Sequence, residues 1–166
     1  MSLFMEFNPQ HDHSVCIHDA LNNAQTLCQR KGGTLTDIRR QVLELLWQNH
    51  HPVKAYELIE NFRPSERTKG GVKPTTIYRA LEFLREVGLI HRVESLNAFI
   101  GCSHPLHTHE LLLLICKKCE NVQELTAENV MESVNSALEQ SRFLAHSKTI
   151  EIHGVCESCQ AVPEVA

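Results

Sequence analysis

The chain has 166 residues, of which 42% are hydrophobic and only 5% aromatic, and its formal net charge at pH 7 is −4. This length suits one ordinary domain or two small ones, with cores built mainly from Leu, Ile and Val. No run of 18 apolar residues occurs and the first residues are polar, so we expect neither a membrane span nor a signal peptide. Seven cysteines in such a chain favour a reducing, cytoplasmic location and metal thiolates over disulfides.

The charges are unevenly distributed along the chain. Residues 30–79 carry ten Lys or Arg and five acidic residues, whereas residues 96–166 carry four basic and nine acidic residues. A basic block on an otherwise acidic chain indicates a polyanionic partner for that block. A solvated charged face is the alternative explanation.

Helical patterns dominate the first half of the chain. Apolar residues recur there at helical spacing, and Gly32 ends the first stripe. Thr36 is a predicted N-cap, residue 74 or 75 begins the last helix of the series, and Gly88 ends it. The four predicted helices span residues 18–30, 36–48, 55–61 and 74–88, with a polar loop at 63–71 before the last.

Two predicted strands, 89–93 and 98–100, follow these helices, and the order is typical of a winged helix-turn-helix domain. The helix that begins near residue 74 is then the recognition helix, whose first turns enter the major groove and offer free amides to phosphate. Arg79 suits a bidentate contact to guanine. A solvated helix start is the alternative. The predicted DNA contacts on this helix are Lys73, Thr75, Thr76, Tyr78 and Arg79.

Two Cys-x-x-Cys pairs, at 116–119 and 156–159, are the most specific chemical signal in the sequence. Each pair places two thiolates on one tight turn, and four soft ligands complete a closed tetrahedral zinc site. Two disulfides or a redox dithiol are alternatives, but a thioredoxin-like dithiol should lie in a βαβ pattern, and none surrounds either pair. The predicted structural zinc ligands are Cys116, Cys119, Cys156 and Cys159.

The second half of the chain is predicted to be a small α+β unit. Strands are predicted at 111–115, 122–125 and 149–152, and Thr126 is expected to cap a helix that runs to about residue 143. Such a unit is too small to bury its apolar strands well alone, so a dimer that extends the sheet is expected.

The order of these motifs resembles the ferric uptake regulator (Fur) family of bacterial metal-sensing repressors, and within it the regulators of zinc uptake. The resemblance is carried by Thr36-x-x-Arg39, by residues 73–81 and 88–94, and by the two Cys-x-x-Cys pairs. It implies a homodimer that, loaded with zinc, binds a palindromic A·T-rich operator in double-stranded DNA and represses zinc-uptake genes. The implied domains are a winged-helix domain at 1–95 with a tail at about 1–17, a hinge at 96–103, and a dimerisation domain at 104–166.

The resemblance also implies a second, regulatory metal site. Two imidazoles, a thiolate and a carboxylate form a set that favours zinc over Fe(II) or Mn(II), and two Zn²⁺ ions per subunit are expected. Each residue also has an ordinary interpretation, such as a small buried hydrophobe for the cysteine. The implied ligands are His91, Cys102, His109 and Glu124. A third site, which some relatives carry, would use His107, Glu128 and His146.

Three further DNA contacts, Arg39, Lys54 and Tyr56, complete the predicted interface, and no enzymatic activity is expected. The nearest alternative is a sensor of iron, manganese or peroxide in the same family. A zinc enzyme that uses His91, Cys102 and His109 is a more distant one, because a hydrolytic site needs an open coordination position. A DNA-binding module with structural zinc only is the third.

Overall fold

The computed structural model describes residues 13–48, 51–63, 72–106 and 110–161. These residues form two compact units, one up to residue 106 and one from residue 110. The predicted α+β class is confirmed, since both units combine helices with a three-stranded sheet. Within the described ranges, no helix has the length and apolar character needed to cross a membrane.

Four helices form most of the N-terminal unit: α1 (His13–Arg30), α2 (Asp37–Trp47), α3 (Ala55–Asn61) and α4 (Pro74–Val87). The helix α1 begins earlier than predicted and includes part of the predicted tail. The Thr36 hydroxyl accepts a hydrogen bond from the Arg39 amide at 3.4 Å, as expected for an N-cap. Gly88 ends α4 with φ 87°, a left-handed conformation that glycine adopts without steric cost. The core of this unit is almost entirely aliphatic, with Leu43, Leu46, Leu58, Ile77, Leu81 and Leu84 among its fully buried side chains.

A three-stranded sheet completes the N-terminal unit. Its strands are β1 (Val53–Lys54), β2 (Ile90–Val93) and β3 (Ala98–Gly101), in the order β1-β3-β2. The sequence predicted β2 and β3 but not β1, which has only two residues. The range 96–103, predicted as a hinge, includes β3, which pairs with both neighbours inside this sheet, and the described unit continues to residue 106.

The C-terminal unit contains β4 (Leu111–Cys116), β5 (Val122–Leu125), α5 (Glu128–Gln140), β6 (Thr149–Gly154) and the short α6 (Glu157–Gln160). The sheet order is β5-β4-β6; β5 is antiparallel to β4, and β6 is parallel to it. The prediction that Thr126 caps α5 was wrong, since the N-cap is Ala127 and makes no side-chain capping bond. The helix also ends at Gln140 rather than near residue 143.

The indole of Trp47 in α2 packs directly against the backbone of Gly101 in β3. A Cβ atom on Gly101 would lie 2.3 Å from Cε2 of the indole, so a side chain at this position could not fit without movement. Gly101 is paired with Ile90 and directly precedes Cys102. The tryptophan therefore fixes the end of β3 against the helical layer.

We predict that Gly101→Ala lowers the free energy of unfolding of the N-terminal unit by about 1–3 kcal/mol, the usual cost of an overpacked core. Denaturant unfolding followed by circular dichroism measures the change. The control is the same substitution made in a Trp47→Leu background. There Gly101→Ala should lower the free energy of unfolding by less than it does in the wild type. An unchanged midpoint for Gly101→Ala would show that the sheet accommodates the methyl group.

Candidate zinc sites and DNA-binding surface

The register of the C-terminal sheet brings the two Cys-x-x-Cys pairs together. Strands β4 and β6 run parallel with Cys116 opposite Gly154, so both strands end at the same edge of the sheet. The Lys117 amide continues the pairing by donating to the Gly154 carbonyl at 2.8 Å. The first pair begins at the end of β4, and the second follows β6 by one residue.

Each pair lies on a tight turn that directs both thiols to one side. In the first turn the Glu120 amide donates to the Cys116 carbonyl at 2.9 Å, and Glu120 has φ 56°. In the second, Cys156 is the N-cap of α6, and the Cys159 amide donates to the Cys156 carbonyl at 3.0 Å. These are the local structures expected for zinc knuckles.

The arrangement of the four sulfur atoms fits a zinc ion. The thiols of Cys116, Cys119, Cys156 and Cys159 all lie within 4.8 Å of one another. The sulfurs of Cys119 and Cys156 are 3.7 Å apart. A tetrahedron with Zn–S bonds of about 2.3 Å places its sulfurs about 3.8 Å apart, whereas a disulfide bond is about 2.05 Å long. The geometry therefore favours a Cys₄ metal site over disulfides.

Hydrogen bonding already favours one thiolate in this cluster. The pKa of Cys116 is lowered to about 6, chiefly because the Cys156 amide donates to its sulfur at 3.4 Å. Burial raises the pKa of Cys119, and hydrogen bonding to the Cys156 side chain is the main cause that raises the pKa of Cys159 to about 12. Zinc must displace the protons of the thiols that remain protonated, so its affinity for the cluster should fall as the pH falls.

A second pair of potential ligands lies in the N-terminal sheet. His91 is paired with Ile100 across β2 and β3, and Cys102 follows two residues later, so both side chains lie on one face as diagonal neighbours. A ring nitrogen of His91 and the sulfur of Cys102 lie within 4.8 Å. Cys102 is 2% exposed, and its amide donates to the Leu89 carbonyl at 2.9 Å. The sheet thus holds an imidazole and a thiol ready for a shared ion.

The remaining predicted ligands lie in the C-terminal unit or outside the described residues. Glu124 is a half-buried residue of β5 in the C-terminal unit, opposite Leu113. His107 and His109 lie outside the described residues. Glu128 and His146 are exposed, and among the described residues no cluster of three or more potential ligands includes either of them.

The predicted DNA-binding side chains mostly lie on the surface of the N-terminal unit. Tyr56 and Tyr78 are each 54% exposed, which is unusual for aromatic residues in a unit with an aliphatic core. Thr76 is half-buried at the start of α4. Arg39 differs from the others because its guanidinium packs on Phe83. The exposed members of the predicted set are Lys54, Tyr56, Lys73, Thr75, Tyr78 and Arg79.

Helices α2 to α4, followed by the β2–β3 hairpin, define a winged helix-turn-helix protein, and the Cys₄ cluster adds a candidate metal site. The chain matches the model of the Ferric uptake regulator family over residues 30–153. It belongs to that family.

The relatives and solved structures agree with this assignment. The chain is 34% identical over 147 residues to the zinc uptake regulation protein of Escherichia coli (strain K12), covering 87% of this chain and 83% of that protein. It is 25% identical over 142 residues to a ferric uptake regulation protein of Staphylococcus aureus, covering 84% and 97%.

Two solved structures share the fold and are each about one third identical in sequence to this chain. A zinc uptake regulator complexed with zinc and DNA is 33% identical, with a TM-score of 0.79 over 87% of this chain and 95% of that chain. A holo form of a protein called XcZur is 34% identical, with a TM-score of 0.76 over 91% and 100%.

We predict that Cys159→Ser removes about one bound zinc ion per chain and loosens the C-terminal sheet. Zinc contributes on the order of 10–16 kcal/mol in small structural sites, and β6 has few buried side chains to replace it. Metal analysis and amide exchange across β4 and β6 measure both effects. The control is Cys16→Ser, which should change neither. Full zinc content and unchanged exchange in Cys159→Ser would contradict the assignment.

Proposed function

We propose that this protein is a zinc-responsive transcriptional repressor that binds operator DNA as a zinc-loaded homodimer and controls zinc-uptake genes. The observation that carries the proposal is the likeness, at a TM-score of 0.79 and 33% identity, to a zinc uptake regulator complexed with zinc and DNA. Its place in a family of regulators makes it a transcription factor rather than an enzyme. Its site of action would be the cytoplasm, where bacterial promoters lie.

The regulatory ion would be held by His91, Cys102, His109 and Glu124, in addition to structural zinc at the knuckles. The thiol of Cys102 supports zinc as the signal, because Fe(II) and Mn(II) sensors would be expected to use nitrogen and oxygen ligands alone. His91 and Cys102 belong to the described N-terminal unit and Glu124 to the C-terminal one. One ion bound by all four would join the two units and bias a two-state equilibrium toward DNA binding. A third site would use His107, Glu128 and His146.

The N-terminal turns of α4 would read the operator in the major groove. Lys73 precedes the helix as its N-cap, and Pro74 occupies the first turn, where the missing amide costs nothing. Arg79 would contact a base, while Lys73 and the first-turn threonines would contact phosphate. Lys54 and Tyr56, at the start of α3, would add contacts beside them.

A homodimer would form through the C-terminal unit. Strand β6 is an edge of its sheet, and Ile152 on this strand is 48% exposed. Phe143 and Leu144, just before this strand, are 65% and 79% exposed. An unpaired edge beside exposed apolar side chains favours association with a second copy. Two recognition helices related by a twofold axis would then match a palindromic operator.

A sensor of iron, manganese or peroxide remains the alternative function, and a ferric uptake regulation protein is among the relatives at 25% identity. It predicts a response to Fe(II) or Mn(II) that does not depend on the Cys102 thiol.

We predict that the wild-type protein binds a palindromic A·T-rich duplex only above a threshold of buffered free zinc, and that Cys102→Ser needs at least tenfold more zinc. Loss of a thiolate ligand weakens the regulatory site but leaves the knuckles loaded. Fluorescence anisotropy of the labelled duplex measures the shift, with Cys28→Ser as a control for a buried cysteine outside the site. Equal binding by all three proteins at every zinc level would refute zinc regulation through Cys102.

We also predict that Arg79→Ala weakens operator binding by about 1–3 kcal/mol and relaxes selectivity at one base pair. Lys73→Ala should instead weaken binding to all duplexes and reduce the slope of log K against log salt by about 0.9. Titrations at several salt concentrations, with operator and scrambled duplexes, separate the two effects. If Arg79→Ala retains wild-type selectivity, Arg79 does not read a base.

A further inference from the structure

The side chain of Arg39 connects three segments of the N-terminal unit. It extends from α2, and its Cζ atom lies 3.3 Å from the centroid of the Phe83 ring on α4. Its Nη1 atom donates to the carbonyl of Thr34, in the turn between α1 and α2, at 2.6 Å. One face of the guanidinium is thus covered by a ring, and one of its N–H groups donates to a carbonyl. These contacts hold the side chain against α4.

A second cation from the same turn contacts the end of α4. The Lys31 ammonium donates to the carbonyl of Val87 at 2.9 Å and to that of Glu86 at 3.4 Å. These carbonyls lie at the C-terminus of the helix, where the dipole favours a positive charge. These two contacts attach the C-terminal end of α4 to the α1–α2 turn.

The Phe83 ring also lies beside the α1–α2 turn. A Cβ atom on Gly33 would lie 2.9 Å from Cζ of Phe83, so the ring packs closely against the turn as well as against the guanidinium of Arg39. These contacts connect the α1–α2 turn and α2 to α4 at Phe83.

We propose that Arg39 is a positioning residue, which sets the orientation of α4 through Phe83 instead of contacting DNA itself. The inference rests on the proposed function, because it assumes that α4 reads the operator. Phe83 lies roughly nine residues, or about 13 Å, from the first turn of the helix. A tilt of about 5° at the ring would shift the first turn by about 1 Å, enough to spoil hydrogen bonds to base edges.

A positioning residue and a phosphate contact leave different signatures. A phosphate contact weakens binding to every duplex alike, and its loss lowers the salt slope by about 0.9. Loss of a positioning contact weakens binding to the operator alone, because nonspecific binding depends on charge and not on base contacts. The salt slope on scrambled DNA should then be unchanged.

The test uses the full-length, zinc-loaded protein with three variants. Arg39→Lys keeps the charge but loses the planar stack, Arg39→Met loses both, and Phe83→Leu removes the ring. Arg40→Met is the matched control, because Arg40 is the next residue of α2 and its guanidinium donates to the Gln25 side chain, at 3.5 Å, on α1 rather than α4. The probes are a palindromic A·T-rich duplex selected by the wild-type protein from a random pool, and a scrambled duplex.

We expect all three variants to bind the selected duplex about tenfold more weakly, with wild-type affinity and salt slope on the scrambled duplex. Arg40→Met should not lose preference for the selected duplex. The proposal is overturned if Arg39→Lys binds like wild type while Arg39→Met loses affinity and slope on both duplexes, which would identify a phosphate contact. It is also overturned if Arg39→Met binds like wild type. Failure of the proposed function looks different, since the wild-type protein itself would then select no duplex at any zinc concentration.

Discussion

The parallel pairing of β4 with β6 is the constraint on which the C-terminal unit depends. It places Cys116 opposite Gly154, and so brings two thiol pairs that are distant in sequence to one edge of the sheet. Lys148 pairs with Glu110 and Asn135. These contacts tie the start of β6 to the start of β4 and to the middle of α5. Most of β6 is exposed, so burial of its side chains contributes little hydrophobic stabilisation to this strand. A metal ion held by the four cysteines would therefore add to the strand pairing in holding β6 in place.

The N-terminal unit uses strand register in a similar way. Antiparallel pairing of β2 with β3 places His91 and Cys102 on one face, and the packing of Trp47 on Gly101 fixes that pairing against the helices. The sheet that contains these two proposed ligands follows α4 after the single turn at Gly88. Metal bound to them would therefore act close to the element proposed to read DNA. This proximity is what a metal-dependent regulator of the Ferric uptake regulator family needs.

Much of the fold could be predicted because its signals are local. Pro74 and Gly88 mark the ends of α4, and the apolar stripe between them identifies its buried face. The Cys-x-x-Cys spacing predicted a cluster of four thiols, because a tetrahedral site requires a tight turn at each pair, and the fold brings these thiols together.

What the sequence could not show depends on tertiary contacts. Strand β1 has two residues and exists only because β3 lies beside it, so no periodicity could reveal it. Thr126 is a residue type that often caps helices, but α5 begins one residue later than a cap at Thr126 would require. Arg39 was predicted as a DNA contact together with Lys54 and Tyr56, and only the fold brings Phe83 to its guanidinium.

The most direct test of this account compares zinc coordination with DNA binding on the same samples. X-ray absorption at the zinc edge would be recorded with one and with two zinc ions per chain, and operator binding would be measured on each. The account predicts sulfur-only coordination without specific binding at one ion, and added nitrogen or oxygen ligands with specific binding at two. Full operator binding at one sulfur-coordinated ion would contradict it.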